Sequence, residues 1–156
     1  MQHNRRDFLA TMGNSAIVAT LVGAGFFTPQ IALADSRNQM AFDVKTLAEA
    51  LKALGAGTPA QSTDIQLTAP DIAENGAVVP VNVTSAIPKT DAIAILVEKN
   101  PNALTAVMYI PEGTEPFVAA RVKMQQTSNI AVLVRADGKF YMTTKEVKVT
   151  LGGCGG

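Results

Sequence analysis

The chain has 156 residues, with 13 basic and 13 acidic side chains, a formal net charge of zero, one histidine, one cysteine and no tryptophan. That balance offers no basic stripe to nucleic acid, and one histidine with one cysteine cannot supply the dense ligand set of a zinc or haem site. No cofactor is predicted.

Residues 1–34 have the parts of a bacterial export signal. Arg5 and Arg6 are followed by Asp7, Phe8 and Leu9, a stretch poor in charge runs from Ala16 to Phe27, and Pro29 breaks it. Ala32-Leu33-Ala34 then offers a small-x-small pattern for cleavage before Asp35. The paired arginines with Phe and Leu close behind match the twin-arginine signal, which is read by a pathway that exports folded proteins. The predicted location is therefore periplasmic. A membrane anchor is the weaker reading, because the apolar run falls short of the roughly 20 residues that a bilayer span needs. Cleavage removes His3, so the mature chain has no histidine, which excludes Ser-His-Asp and Cys-His catalysis. Phe42, Phe117, Phe140, Tyr109 and Tyr141 are its aromatics, too scattered for a platform on which bases or sugars stack.

Residues 35–151 read as one domain. In 42–54, Val44, Leu47, Ala48, Leu51 and Leu54 recur at three- and four-residue steps opposite Lys45, Glu49 and Lys52, which predicts a single amphipathic helix. Gly55 follows as its stop. From Asp64 the period becomes two. Ile65, Leu67 and Ala69 alternate up to Pro70, Asn75-Gly76 signals a turn, and Val79, Val81 and Val83 form the next strand. Residues 92–97 are nearly all apolar, as in a central strand buried on both faces. Further strands are expected at 104–110, 117–124, 130–134 and 139–142, the last after the tight-turn pair Asp137-Gly138, and a final one carries Val147, Val149 and Leu151. One helix followed by seven or eight short strands predicts a mainly β fold, an immunoglobulin-like β-sandwich without the disulfide or core tryptophan of antibody domains. The apolar content, 47% of the chain, has two readings: it all fills the core, or it leaves an apolar sheet face or edge for a partner in a heterodimer.

The last residues are Gly152, Gly153, Cys154, Gly155 and Gly156. Glycines populate many backbone conformations and offer no side chain to pack, so residues 152–156 are expected to form a flexible arm. At roughly 3.3 Å per extended residue, Cys154 can move on the order of 10 Å from Leu151. A thiol on so slender an arm can enter a narrow pocket of another protein. An unpaired cysteine in an exported chain points to intermolecular bonding or a reactive role, with the thiolate as the reactive form. Cys154 is the predicted covalent attachment site, and no catalytic residue or metal ligand is assigned.

Val147-Lys148-Val149-Thr150-Leu151 running into Gly152-Gly153-Cys154-Gly155-Gly156 resembles the SoxY family, carriers of the periplasmic sulfur-oxidising (Sox) system. The resemblance extends to the twin-arginine signal, the leading helix and the strand-rich body. It implies an immunoglobulin-like sandwich paired with a second β-sandwich subunit, SoxZ. It also implies a tail cysteine joined to thiosulfate by the c-type cytochrome SoxAX. Sulfate release would fall to the dimanganese hydrolase SoxB and, in many organisms, oxidation of the remaining sulfane sulfur to the molybdenum and haem enzyme SoxCD. The carrier itself would catalyse none of these steps. Three other readings remain. One is a carrier activated at its terminal Gly-Gly carboxylate, which the export signal opposes. Another is a copper(I) protein using Cys154 with Met108, Met124 or Met142, and the last is a structural sandwich with an incidental tail.

Overall fold

Alternating valines and isoleucines build two packed sheets, and alanines on the far side of the larger one seat a helical layer. The structure is a computed structural model and describes residues 39–150. Two helices, α1 (Gln39–Asp43) and α2 (Leu47–Ala53), precede β1 (Ala60–Gln61), β2 (Ile65–Thr68), β3 (Ile72–Ala73), β4 (Val79–Ser85), β5 (Thr90–Val97), β6 (Leu104–Tyr109), β7 (Phe117–Val122), β8 (Ser128–Ala136) and β9 (Lys139–Val149). The larger sheet has the order β1-β9-β8-β5-β6, with β3 also on β9, and the smaller has the order β2-β4-β7. This is the expected immunoglobulin-like β-sandwich.

Side-chain size sorts the layers. Ile93, Ile95 and Val97 of β5 and Ile130, Val132 and Val134 of β8 face Val79, Val81 and Val83 of β4 and Val118 and Val122 of β7. On the opposite face of the larger sheet, Ala94, Leu96, Ala131 and Leu133 pack against Ala41, Ala50 and Leu51 of the helices. Small side chains there let the helices lie close. The run 92–97 is accordingly buried on both faces, whereas β4 alternates buried valines with outward Pro80, Asn82 and Thr84. Burying a Val, Ile or Leu side chain stabilises by about 1.5–3 kcal/mol each, so these two layers absorb most of the apolar surplus. Met40, Ile72, Val78, Tyr109 and Phe117 remain exposed among the described residues.

The single helix expected over 42–54 is two. Thr46 adopts an extended conformation as the cap of α2 and accepts from Glu49 N at 3.2 Å, while the Glu49 carboxylate accepts from Thr46 N at 3.2 Å. This reciprocal capping box starts a helix where periodicity alone predicts a continuous one. The freed carbonyl of Val44 accepts from Ala103 N at 3.2 Å, which ties the break to the sheet. The bonds from Thr46 hold the Glu49 carboxyl below its ordinary pKa. Thr46→Ala is expected to cost about 1 kcal/mol, read as a lowered urea midpoint with an unchanged slope. Gly55 ends α2 as expected, at φ 75°, with Ala56 N donating to Leu51 O at 2.8 Å and Gly55 N to Lys52 O at 3.0 Å. Those two bonds form a Schellman motif.

Asp137 and Gly138 both take positive φ, 50° and 72°, and join β8 to β9 in a two-residue hairpin turn. Beyond it, the two strands expected at 139–142 and 147–151 are one, β9, eleven residues long. The polar stretch Thr143-Thr144-Lys145-Glu146 holds no turn residue, and its β-branched threonines pair with Val132 and Ala131. Asn75-Gly76 does turn the chain, with Ala77 N donating to Asn75 Oδ1 at 2.9 Å. It does not make a hairpin, since β3 pairs with β9 rather than β4.

Candidate functional site

The predicted attachment residue Cys154 and the arm glycines Gly152, Gly153, Gly155 and Gly156 lie outside the described residues. What the structure describes is the root from which they extend, the end of β9. One side of β9 is bonded to β8 from Lys139↔Ala136 to Val147↔Ser128. The other side meets β1 in parallel at Tyr141 and Met142, and β3 in parallel at Lys148 and Val149. Between those patches Lys145 Nζ donates to Ala69 O at 2.6 Å and pairs with Asp71 at 2.9 Å. Past the end of the β8 ladder, Val149 N donates to Thr127 Oγ1 at 3.0 Å and Thr150 N to Ala73 O at 3.1 Å. The strand is therefore held to the last described residue.

Residues 74–78 and 123–127 form a rim beside that root, and 98–103 are bonded to the second of them. Met124 N donates to Gly76 O at 2.6 Å. Asn100 ties 98–103 to 123–127, its Nδ2 donating to Lys123 O at 2.7 Å and its Oδ1 accepting from Gln125 N at 3.2 Å. A Cβ at Gly76 would overlap the Met124 carbonyl oxygen and lie 2.8 Å from Val149 Cγ1. Gly76 thus sets how closely the rim approaches the arm root, a role that its reading as a turn residue missed. Lys145, a half-buried residue of β9 that reaches Ala69 and Asp71, carried no signal in the sequence either.

The three methionines considered as soft-metal ligands are not brought together. Met124 is 1% exposed between the sheets, Met108 packs against the same core, and Met142 packs on the opposite face of the larger sheet, toward the helices. Among the described residues no three His, Cys, Asp or Glu side chains are placed to hold a metal. Arg135 donates to Asp91 at 2.7 Å, and that bond raises the guanidinium pKa further. It belongs to the outer face of the larger sheet, not to the rim.

The model of the sulfur oxidation protein SoxY family matches residues 50–154, a span that runs through Cys154. Among solved structures, the sulfur carrier protein SoxY from Chlorobium limicola f thiosulfatophilum is 40% identical, with a TM-score of 0.57 over 64% of this chain and 93% of that one. A superoxide reductase (neelaredoxin) from Ignicoccus hospitalis is 15% identical, with a TM-score of 0.50 over 55% of this chain and 79% of that one. A putative superoxide reductase from Thermotoga maritima is 15% identical at the same TM-score, over 60% of this chain and 88% of that one. These last two share the fold alone. No curated protein matches the chain.

Proposed function

This chain belongs to the SoxY family of sulfur oxidation proteins, and from that premise we propose that it is a periplasmic, non-catalytic carrier which holds thiosulfate-derived sulfur on Cys154. The observation that carries the reading is the pairing of a family match running through Cys154 with a β9 anchored on both sides up to Thr150. A rigid root and a glycine arm give one thiol a fixed origin and a wide, unobstructed sweep.

The loading step joins the Cys154 sulfur to the outer sulfur of thiosulfate as an S-thiosulfonate. A thiol proton is released, and two electrons leave one at a time to an outside oxidant, the c-type cytochrome SoxAX. Water then cleaves the bond to the sulfonate sulfur at SoxB, releasing sulfate and leaving a persulfide on the carrier. SoxCD, where present, oxidises that sulfane sulfur. The chain works paired with a SoxZ-like subunit and follows export by the twin-arginine route, with cleavage after Ala34. The carrier itself supplies a nucleophile, its reach and its slender profile.

Peptide mapping of mature protein from cells oxidising thiosulfate tests this reading. The expected result is a sulfur adduct confined to Cys154. An adduct on the Gly156 carboxylate, or none at all during active thiosulfate turnover, would overturn it.

A further inference from the structure

Alternation along β9 puts Lys145 on the same face as Tyr141 and Val147, the face that packs into the sandwich. A charged group on that face needs partners. Lys145 finds them across the open side of the sandwich, in Ala69 O at 2.6 Å and Asp71 at 2.9 Å. Ala69 directly follows β2 of the smaller sheet, and from it the chain crosses to the larger sheet, where β3 lies on β9. Lys148 N donates to Asp71 O at 2.9 Å and Thr150 N to Ala73 O at 3.1 Å. Residues 69, 71 and 73 are thus tied in turn to 145, 148 and 150.

This strap is weak by itself. A two-residue parallel ladder is marginal, Ile72 at its middle is 57% exposed, and its ends bury only the small side chains of Ala69 and Ala73. The ion pair adds little, because the Asp71 side chain is 89% exposed. The charge-assisted bond from Lys145 to the Ala69 carbonyl is the strong contact. Without it, the end of β9 is left to the β8 ladder, which stops at Val147, and to the Thr127 hydroxyl on Val149 N. We infer that Lys145 is a positioning residue: through residues 69–73 it fixes the start of the carrier arm at Thr150, rather than up to three residues earlier. The inference rests on the carrier reading above and adds a residue that sets the arm's origin. Three residues are about 10 Å of extended chain. A tether longer than the span it must cross lowers the effective concentration of its cargo at the target, so the origin bears on delivery to a partner.

Lys145→Met keeps the stem and removes the donor, whereas Asp71→Asn removes the partner's charge alone. Amide hydrogen exchange and NMR relaxation are measured on the wild-type chain and both variants, with thermal unfolding alongside. In the wild-type chain the Lys148 and Thr150 amides should exchange together and faster than the β8–β9 ladder, as one local opening. In Lys145→Met they should exchange roughly 10- to 100-fold faster still, with Thr150 relaxing as mobile chain and β8 unchanged. Asp71→Asn should match wild type. Loading of Cys154 from thiosulfate by SoxAX gives the functional reading. The KM for the Lys145→Met carrier should rise roughly threefold or more, while a small aromatic disulfide reacts with its thiol at the wild-type rate. Exchange at Lys148 and Thr150 that is unchanged in Lys145→Met, or that needs global unfolding in the wild type, overturns the strap. A Lys145→Met chain that does not fold overturns it too, since Lys145 then supports the whole sandwich. A loosened strand with an unchanged KM overturns the positioning role alone. A wild-type chain that SoxAX does not load overturns the carrier reading, and the positioning role with it, whatever the amides show.

Discussion

Cys154→Ser is expected to abolish loading, with no thiosulfate-derived adduct visible by intact mass after incubation with the complete oxidising system. Serine preserves the size of the side chain but cannot form a sulfur–sulfur bond, and its hydroxyl stays protonated where a thiol yields a reactive thiolate. The chain has one cysteine, so no second thiol can substitute. The substitution falls four positions beyond Thr150, the last residue with a described anchoring bond. Thermal unfolding of the variant should therefore match wild type, which separates lost chemistry from lost fold. An adduct retained by the serine variant would sink the carrier reading.

The parts of the fold legible in the sequence are those in which one physical rule acts alone. Valines at 79, 81 and 83 had to face one way, and the run 92–97 had to be covered twice, because burial is the strongest term for such residues. Asp137-Gly138 was legible because few residue pairs accept two positive φ values. Legibility failed where two rules compete. Residues 42–54 have a helical period throughout, yet Thr46 and Glu49 satisfy each other's backbone donors and restart the helix. Thr143 to Glu146 look like a gap between strands, yet β8 continues opposite them and supplies the pairing. The short parallel patches of β1 and β3 on β9 have no signature, because two-residue strands carry no period. At the candidate site the glycines around Cys154 lie outside the described residues, and their role as an arm stands as an expectation from the sequence. The long-range bonds that fix its origin, from Lys145 to Ala69 and from Thr150 to Ala73, join residues 76 and 77 positions apart, beyond any local pattern.

Gly76→Ala is expected to destabilise the domain by about 3 kcal/mol, at the upper end of overpacking costs, measured as a lowered urea midpoint. Glycine in an Asn-Gly pair is usually read as a response to positive φ, and asparagine then substitutes with little loss. Gly76 is not among the residues with positive φ. Its constraint is space: an added Cβ would strike the Met124 carbonyl, a backbone atom fixed by the 2.6 Å bond from Met124 N to Gly76 O, and would crowd Val149 Cγ1. Neither obstacle is the free end of a flexible side chain, so the rim must open to admit it. Gly76→Asn, the substitution that a turn glycine tolerates best, should be at least as damaging as Gly76→Ala. At Gly138, where φ is 72° and no atom lies near the added Cβ, asparagine should be nearly neutral. If asparagine rescues position 76, close approach is not what fixes this glycine. If it does not, close approach to Met124 and Val149 is what fixes this glycine beside the end of β9.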